Sequence, residues 1–161
     1  MLAKKALDVY LNDHLAGAVA AVEMIEQSRE QNEGTELGAF LESLGADVRA
    51  DREALEQLMQ KLQIGTSPVK QASTWVGEKL GRLKFVTAAG TRQELRSMLE
   101  LEVIHLGVQG KHALWRALEQ VADRDARIES TDLKTLQERA ERQLASIEER
   151  RLAMARAAFS E

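Results

Sequence analysis

The stretch "IGTSPVKQASTWVGEKLGRLKFVTAAG", residues 64–90, decides the fold, because its length limits how the helices on either side can be arranged. Gly65 and Pro68 end the helix before it, and the AAGT sequence at 88–91 opens the next one. A link of this length can span a ~45 Å helix and carry the chain from one end of a bundle to the other. An up-down-up-down bundle with short loops would not need it.

The composition predicts an all-α protein with a single domain over residues 1–161. Only one residue is proline and 4% are aromatic, while Ala, Leu, Glu, Arg and Gln, all good helix formers, dominate the chain. Four helices are predicted, at about 2–31, 35–63, 91–121 and 131–158, with short connections inside the first and second pairs. Thr35 and Thr91 are the expected N-caps, and Glu94 completes a capping box with Thr91.

The crossover at 64–90 is itself expected to be partly helical. Its apolar residues recur at helical spacing and would let it lie along the bundle: Val69, Ala72, Val76, Leu80 and Leu83. Two helical hairpins joined by a long crossover form the topology of ferritin-like four-helix bundles. The sequence therefore predicts that architecture.

Charge and residue usage argue against several classes of function. The net charge of −4 provides no basic field for nucleic acid. The chain has no cysteine, which excludes disulfides, thiolate metal sites and a cysteine nucleophile. No apolar run approaches the ~20 residues of a membrane span, and "MLAKKALDVYLNDHL" at 1–15 does not have the pattern of a signal peptide. A cytoplasmic protein is expected.

Two polar residues fall on otherwise apolar helix faces. His14 shares a stripe with Leu11 and Ala18 on the first helix, and Asp51 is the one charged member of the inward stripe of the second. One interpretation is a buried hydrogen-bonded pair that fixes the helix register. The alternative is a polar corner of a ligand pocket, or a site for a single divalent metal ion.

The third helix is apolar on two sides, which requires two coverings. One stripe contains Leu95, Leu99, Val103, Leu106, Ala113 and Ala117, and the other contains Leu101, Ile104, Val108, Trp115 and Leu118. The bundle can cover one of them. The crossover with its Trp75, or a second copy of the chain, would have to cover the other. We therefore expect a homo-oligomer formed through the third helix or the crossover.

Glu102 and His105 form a Glu-x-x-His pair in the polar wedge between these stripes. Di-iron carboxylate bundles need two such pairs and a Glu from each of two further helices. With three histidines in the chain, and none on the second or fourth helix, that site cannot be built. A solvated polar edge is predicted, and the metal alternative would combine His14, Asp51, Glu102 and His105. "GVQGK" at 107–111 lacks the Ser/Thr of a phosphate loop, so Gly107 and Gly110 are expected to allow another helix or Trp75 to approach closely.

Three segments resemble small bacterial proteins of the ferritin-like superfamily that have no assigned activity: "YLNDHLAGAVAAVEM" at 10–24, "WVGEKLGRLKF" at 75–85 and "LELEVIHLGVQGKHALWRAL" at 99–118. The resemblance implies a ferritin-like bundle, while the missing metal ligands argue against iron storage and oxidation. The expected function is that of a non-enzymatic bundle that associates with a partner or with itself, with no catalytic residues and no cofactor. A metal- or small-ligand-binding bundle with a degenerate site is the alternative.

Overall fold

A computed structural model describes residues 3–66 and 92–160, and over these ranges all regular structure is helical. Four long helices and one short one occur in chain order: α1 (Lys4–Gln31), α2 (Glu36–Lys61), α3 (Gln93–Glu119), α4 (Ala126–Glu129) and α5 (Leu133–Phe159). A single turn of 3₁₀ helix, Ala122–Arg124, precedes α4. The predicted all-α class is confirmed. The predicted crossover helix and Trp75 lie outside the described residues.

The helix starts follow the predicted caps in one case and differ in another. Thr35 caps α2 as expected, because its side chain accepts a hydrogen bond from the Gly38 backbone N–H at 3.1 Å. Helix α3 instead has Arg92 at its N-cap and no side-chain cap, so it starts one position later than a Thr91 cap requires. Thr91 itself lies outside the described ranges. Asp132 caps α5 by accepting from the Thr135 N–H at 3.1 Å.

Contacts at the two ends of the helices fix their directions. Ser28, near the end of α1, donates to Glu100 near the start of α3 at 2.6 Å, so α1 and α3 are antiparallel. Helices α1 and α2 are joined by a short turn and pack against each other. Helices α3 and α5 also pack against each other and are joined by the segment that contains α4. It follows that α2 and α3 run parallel to each other.

Parallel α2 and α3 place the ends of the described segments far apart. Gly65, after α2, accepts a hydrogen bond from Asn12 near the start of α1. Arg92, before α3, donates to the backbone oxygen of Ser160 beyond the end of α5. Helix α2 has 26 residues and is therefore ~40 Å long. Residues 66 and 92 therefore lie at opposite ends of the bundle.

The core consists of two apolar clusters separated by a polar layer. The cluster at the chain-start end of α1 includes Leu11, Leu58 and Trp115. The cluster at the other end includes Ile25, Leu41 and Ile147. Between them, at mid-height, lies the buried carboxylate of Asp51.

The predicted inward face of α2 agrees with the burial of its side chains, whereas the predicted stripe on α1 is only partly correct. On α1, His14 and Ala18 are half-buried, and other residues are buried instead: Leu15, Ala16, Ala20 and Met24. Every member of the α2 stripe is buried: Leu37, Leu41, Leu44, Val48, Asp51, Leu55, Leu58 and Leu62. On α3 the bundle covers the stripe that contains Ile104 and Trp115, whereas Leu106 on the other stripe is 39% exposed. Within the described residues, only one of the two apolar faces predicted for α3 is fully covered. What covers the other face stays a prediction.

The turn between α1 and α2 depends on a glycine. A Cβ atom on Gly38 would lie 2.2 Å from the backbone oxygen of Asn32, which itself accepts the N–H of Thr35. We expect Gly38→Ala to lower the free energy of unfolding by roughly 1–3 kcal/mol, because the turn must shift to remove the overlap. Urea unfolding followed by circular dichroism measures the change.

Gly17→Ala provides the matched control in α1, where an added Cβ meets no atom within 4 Å in the described part of the chain. It should raise the free energy of unfolding by roughly 0.5–1 kcal/mol through helix propensity. Equal effects of the two substitutions would contradict the proposed overlap at Gly38.

Candidate ligand-binding site

A partly enclosed cavity of about 190 Å³ lies where α1, α2 and α3 meet at mid-height. Its walls are mostly apolar side chains: Ile25, Val48, Leu55, Ile104, Val108 and Leu114. Among the described residues, six side chains with polar atoms also border it: Asp13, His14, Asp51, Arg52, Lys111 and Trp115. The cavity thus combines apolar walls with a few polar groups, as small-molecule sites do.

Asp51 is held by side chains from the second helical hairpin. Its Oδ2 accepts a hydrogen bond from Lys111 Nζ at 2.5 Å and another from Gln143 Nε2 at 3.0 Å. Lys111 also donates to Gln143 Oε1 at 2.5 Å. Arg139 Nε lies 3.3 Å from the other carboxylate oxygen, Oδ1. These contacts join α2, α3 and α5 through one carboxylate that is only 1% exposed.

Lys111 is unusual because its ammonium group is largely buried. Burial lowers the pKa of the amine, and the nearby Asp51 carboxylate opposes that effect. The ion pair therefore stabilises the charged amine at a place where water does not solvate it fully.

Trp115 also borders this cavity and carries an unsatisfied donor. Its side chain is fully buried, and its indole Nε1–H has no hydrogen-bond partner within residues 3–66 and 92–160. Buried donors of this kind are rare in native proteins. The indole N–H is thus a polar group that a bound molecule could satisfy.

The predicted pairing of His14 with Asp51 is wrong, although both residues border the same cavity. Asp51 is bound by Lys111 and Gln143 instead. His14 packs against Tyr10 of its own helix in an edge-to-face arrangement, with the ring centroids 4.6 Å apart. Lysine competes better for the buried carboxylate because it brings a full charge without the cost of protonating an imidazole.

Burial lowers the pKa of His14, with a smaller opposing effect from Asp13. The folded protein therefore binds a proton at this site less readily than the unfolded chain. The free energy of unfolding should fall as the pH drops from 7 to 5, since the unfolded state takes up the proton first. Urea unfolding at both pH values should show a smaller fall in His14→Asn, and identical slopes would contradict this assignment.

Glu102 and His105 face α5 and belong to a different part of the bundle. Arg151 Nη1 lies 3.1 Å from Glu102 Oε1, and His105 acts electrostatically on Glu148 of α5. On the same flank, His112 Nε2 lies 3.2 Å from Glu141 Oε1. This flank is the polar edge that the sequence predicts.

The metal alternative requires one ion to be bound by His14, Asp51, Glu102 and His105. Only His14 and Asp51 share the cavity, while Asp51 and Glu102 each face a cation. Within 3–66 and 92–160, no group of three or more His, Asp or Glu side chains is arranged to hold a metal ion. Elemental analysis of the purified protein, repeated on His105→Ala, remains the direct test of a bound divalent ion.

The described residues do not make the close helix contact predicted at Gly107 and Gly110. A Cβ on Gly107 would make an ordinary 3.9 Å contact with the Cβ of Ala21, and one on Gly110 would meet no described atom within 4 Å. Both glycines border the cavity, as does Gly17. Among the described residues no side chain packs closely on Gly107 or Gly110, and whether Trp75 approaches them lies outside those residues.

Sequence reasoning missed Lys111, Gln143 and Arg139, although the helical pattern contains a signal for Lys111. The buried stripe of α3 runs through Val108 and Trp115, and position 111 lies between them on the same face. A lysine there has to be buried with its charge, so it requires a carboxylate. Asp51 on the neighbouring helix is the only charged residue of the α2 stripe.

The chain was compared with models of protein families, with curated proteins and with solved structures, and none of the three comparisons gave a match. Among the helices within the described ranges, none is long and apolar enough to cross a membrane.

Proposed function

We propose that this protein is a non-enzymatic helical bundle that binds a small, mostly apolar molecule in the cavity between α1, α2 and α3. The observation that carries the proposal is the cavity itself, which borders a buried ion pair and an unsatisfied indole donor. Protein cores are normally close-packed, and a void destabilises the fold unless something occupies it. An occupant would recover that lost packing.

The volume limits the size of the ligand. An apolar cavity of ~150 Å³ in another protein accommodates benzene, so about 190 Å³ suits one ring with a small substituent. Binding is favoured over catalysis because Lys111 and Asp51 engage each other directly. In that state neither group is free to act as a base or a nucleophile.

Thermal unfolding in the presence of toluene tests this function. A saturable increase in the unfolding temperature is expected, because a ligand that binds only the folded state stabilises it. Gly110→Leu should abolish the increase by placing its side chain in the cavity. Ala113→Leu, on the exposed side of α3, is the matched control and should leave it intact. No saturable effect, or an undiminished one in Gly110→Leu, would contradict the proposal.

We also propose that the bundle is ferritin-like. The supporting observation is that α2 and α3 run parallel, which requires a full-length connection between them. The cysteine-free chain allows specific spin labelling at introduced cysteines. Labels at Glu36 and Gln93 should lie closer together than labels at Glu36 and Glu119. The reverse order of distances would overturn the topology.

Self-association is a second candidate function, supported by the incompletely covered stripe of α3 at Leu106. Sedimentation analysis of the protein and of Leu106→Glu tests it, because a charge in such an interface should dissociate the oligomer. A monomer at all concentrations would contradict it. A cytoplasmic location is likewise our proposal, supported by the absence of cysteine from the chain.

A further inference from the structure

Among the described residues, two side chains at the buried end of the cavity each carry an N–H donor without a partner, while the one acceptor there without a hydrogen bond, Asp51 Oδ1, already faces Arg139 at 3.3 Å. Trp115 offers an indole N–H that has no partner in the described part of the chain, and an indole nitrogen can donate but not accept. Lys111 has three N–H groups, of which one goes to Asp51 and another to Gln143. Its third N–H has no hydrogen bond among those of the described residues.

The charges at this end are also unbalanced. The ammonium of Lys111 and the guanidinium of Arg139 both face the single carboxylate of Asp51, which leaves one positive charge in excess. Asp47, which also acts on Lys111, is exposed to water and therefore compensates little. At the cavity rim, Arg52 is paired with Glu56 at 2.8 Å, and Asp13 is exposed to water, so its charge compensates little there.

Arg139 is 28% exposed and partly solvated, whereas Lys111 is largely buried, so a counter-charge near Lys111 would stabilise its ammonium group. An anionic acceptor in the cavity would supply that counter-charge and could satisfy the donors of Lys111 and Trp115. A neutral hydrocarbon would fill the volume but leave both donors unsatisfied. A cationic ligand would add to the excess positive charge.

Building on the binding function proposed above, we propose that the cavity selects a small carboxylate with an apolar body, held by Lys111 and Trp115. The carboxylate would lie at the polar end of the cavity and form a charge-assisted hydrogen bond with Lys111 Nζ. The apolar body would contact the side chains of Ile25, Ile104 and Leu114.

Three ring probes of similar size test this inference: benzoate, toluene and benzylammonium. Their dissociation constants are measured by ligand-observed NMR at pH 7 with the full chain. Benzoate is expected to bind about tenfold more tightly than toluene, since a hydrogen bond to a charged group contributes that much. Benzylammonium should bind most weakly.

Two variants locate the origin of the preference. Lys111→Met should remove the preference for benzoate while toluene still binds. Trp115→Phe retains an aromatic ring without its N–H and should reduce the preference in part. If Lys111→Met does not fold, Trp115→Phe alone still tests the preference for benzoate.

The outcomes separate this inference from the binding function. Toluene binding as tightly as benzoate, or an unchanged benzoate preference in Trp115→Phe and Lys111→Met, would overturn the carboxylate assignment and leave the ligand-binding function in place. Binding of none of the three probes would overturn both.

Discussion

Asp51→Ala is expected to lower the free energy of unfolding by about 3–5 kcal/mol. Removing the carboxylate leaves Lys111 and Arg139 facing each other without a counter-charge. Removing one partner of a buried ion pair costs this much because the other charge stays desolvated and no longer has a counter-charge. Urea unfolding at pH 7 measures the loss.

Asp47→Ala is the matched control, one turn earlier on the same helix and exposed. It should change the free energy of unfolding by less than ~0.5 kcal/mol. Asp51→Asn should fall between the two, because it retains an acceptor for Lys111 but no charge. If Asp51→Ala were no more destabilising than Asp47→Ala, the buried polar layer would not be formed in solution.

Trp115→Ala is expected to cost about 3–5 kcal/mol of unfolding free energy. The indole is fully buried in the cluster that includes Leu11 and Leu58, and its loss would enlarge the adjacent cavity. The surrounding helices can relax only partly into that space. Chemical unfolding followed by circular dichroism gives the size of the effect.

Phe159→Ala serves as the control, because this aromatic side chain is 72% exposed at the end of α5. We expect a change of less than ~0.5 kcal/mol. Comparable losses for the two aromatic residues would show that Trp115 does not occupy the core. A third variant, Trp115→Phe, should lie close to the unchanged protein, since it loses volume but also removes an unsatisfied N–H.

The helices and the inward face of α2 could be predicted from sequence because hydrophobic periodicity follows burial, whereas the buried face of α1, rich in small residues such as Ala16 and Ala20, was predicted only in part. The α2 stripe from Leu37 to Leu62 is the clearest example, and the Thr35 cap followed from local chemistry alone. Helix periodicity and capping depend on residues that are close in sequence, so they can be recognised in the sequence itself.

The partners of the polar residues could not be predicted as well, because they depend on the relative rotation and height of separate helices. His14 and Asp51 both reach one cavity, but a sequence does not reveal that Lys111 reaches the carboxylate first. The position of Lys111 on the buried stripe of α3 indicates that it needs a carboxylate, but residues such as Gln143 are ordinary surface types in a pattern. Only the packing of α3 and α5 against α2 makes them buried partners.

The polar layer divides its charges between the two hairpins. The hairpin of α1 and α2 contributes the carboxylate of Asp51, and the hairpin of α3 and α5 contributes Lys111, Arg139 and Gln143. Neither half can neutralise its own buried charge, so each would have to keep this layer hydrated until the other docks. The two hairpins should consequently gain their tight packing together, in one cooperative folding transition rather than two successive ones.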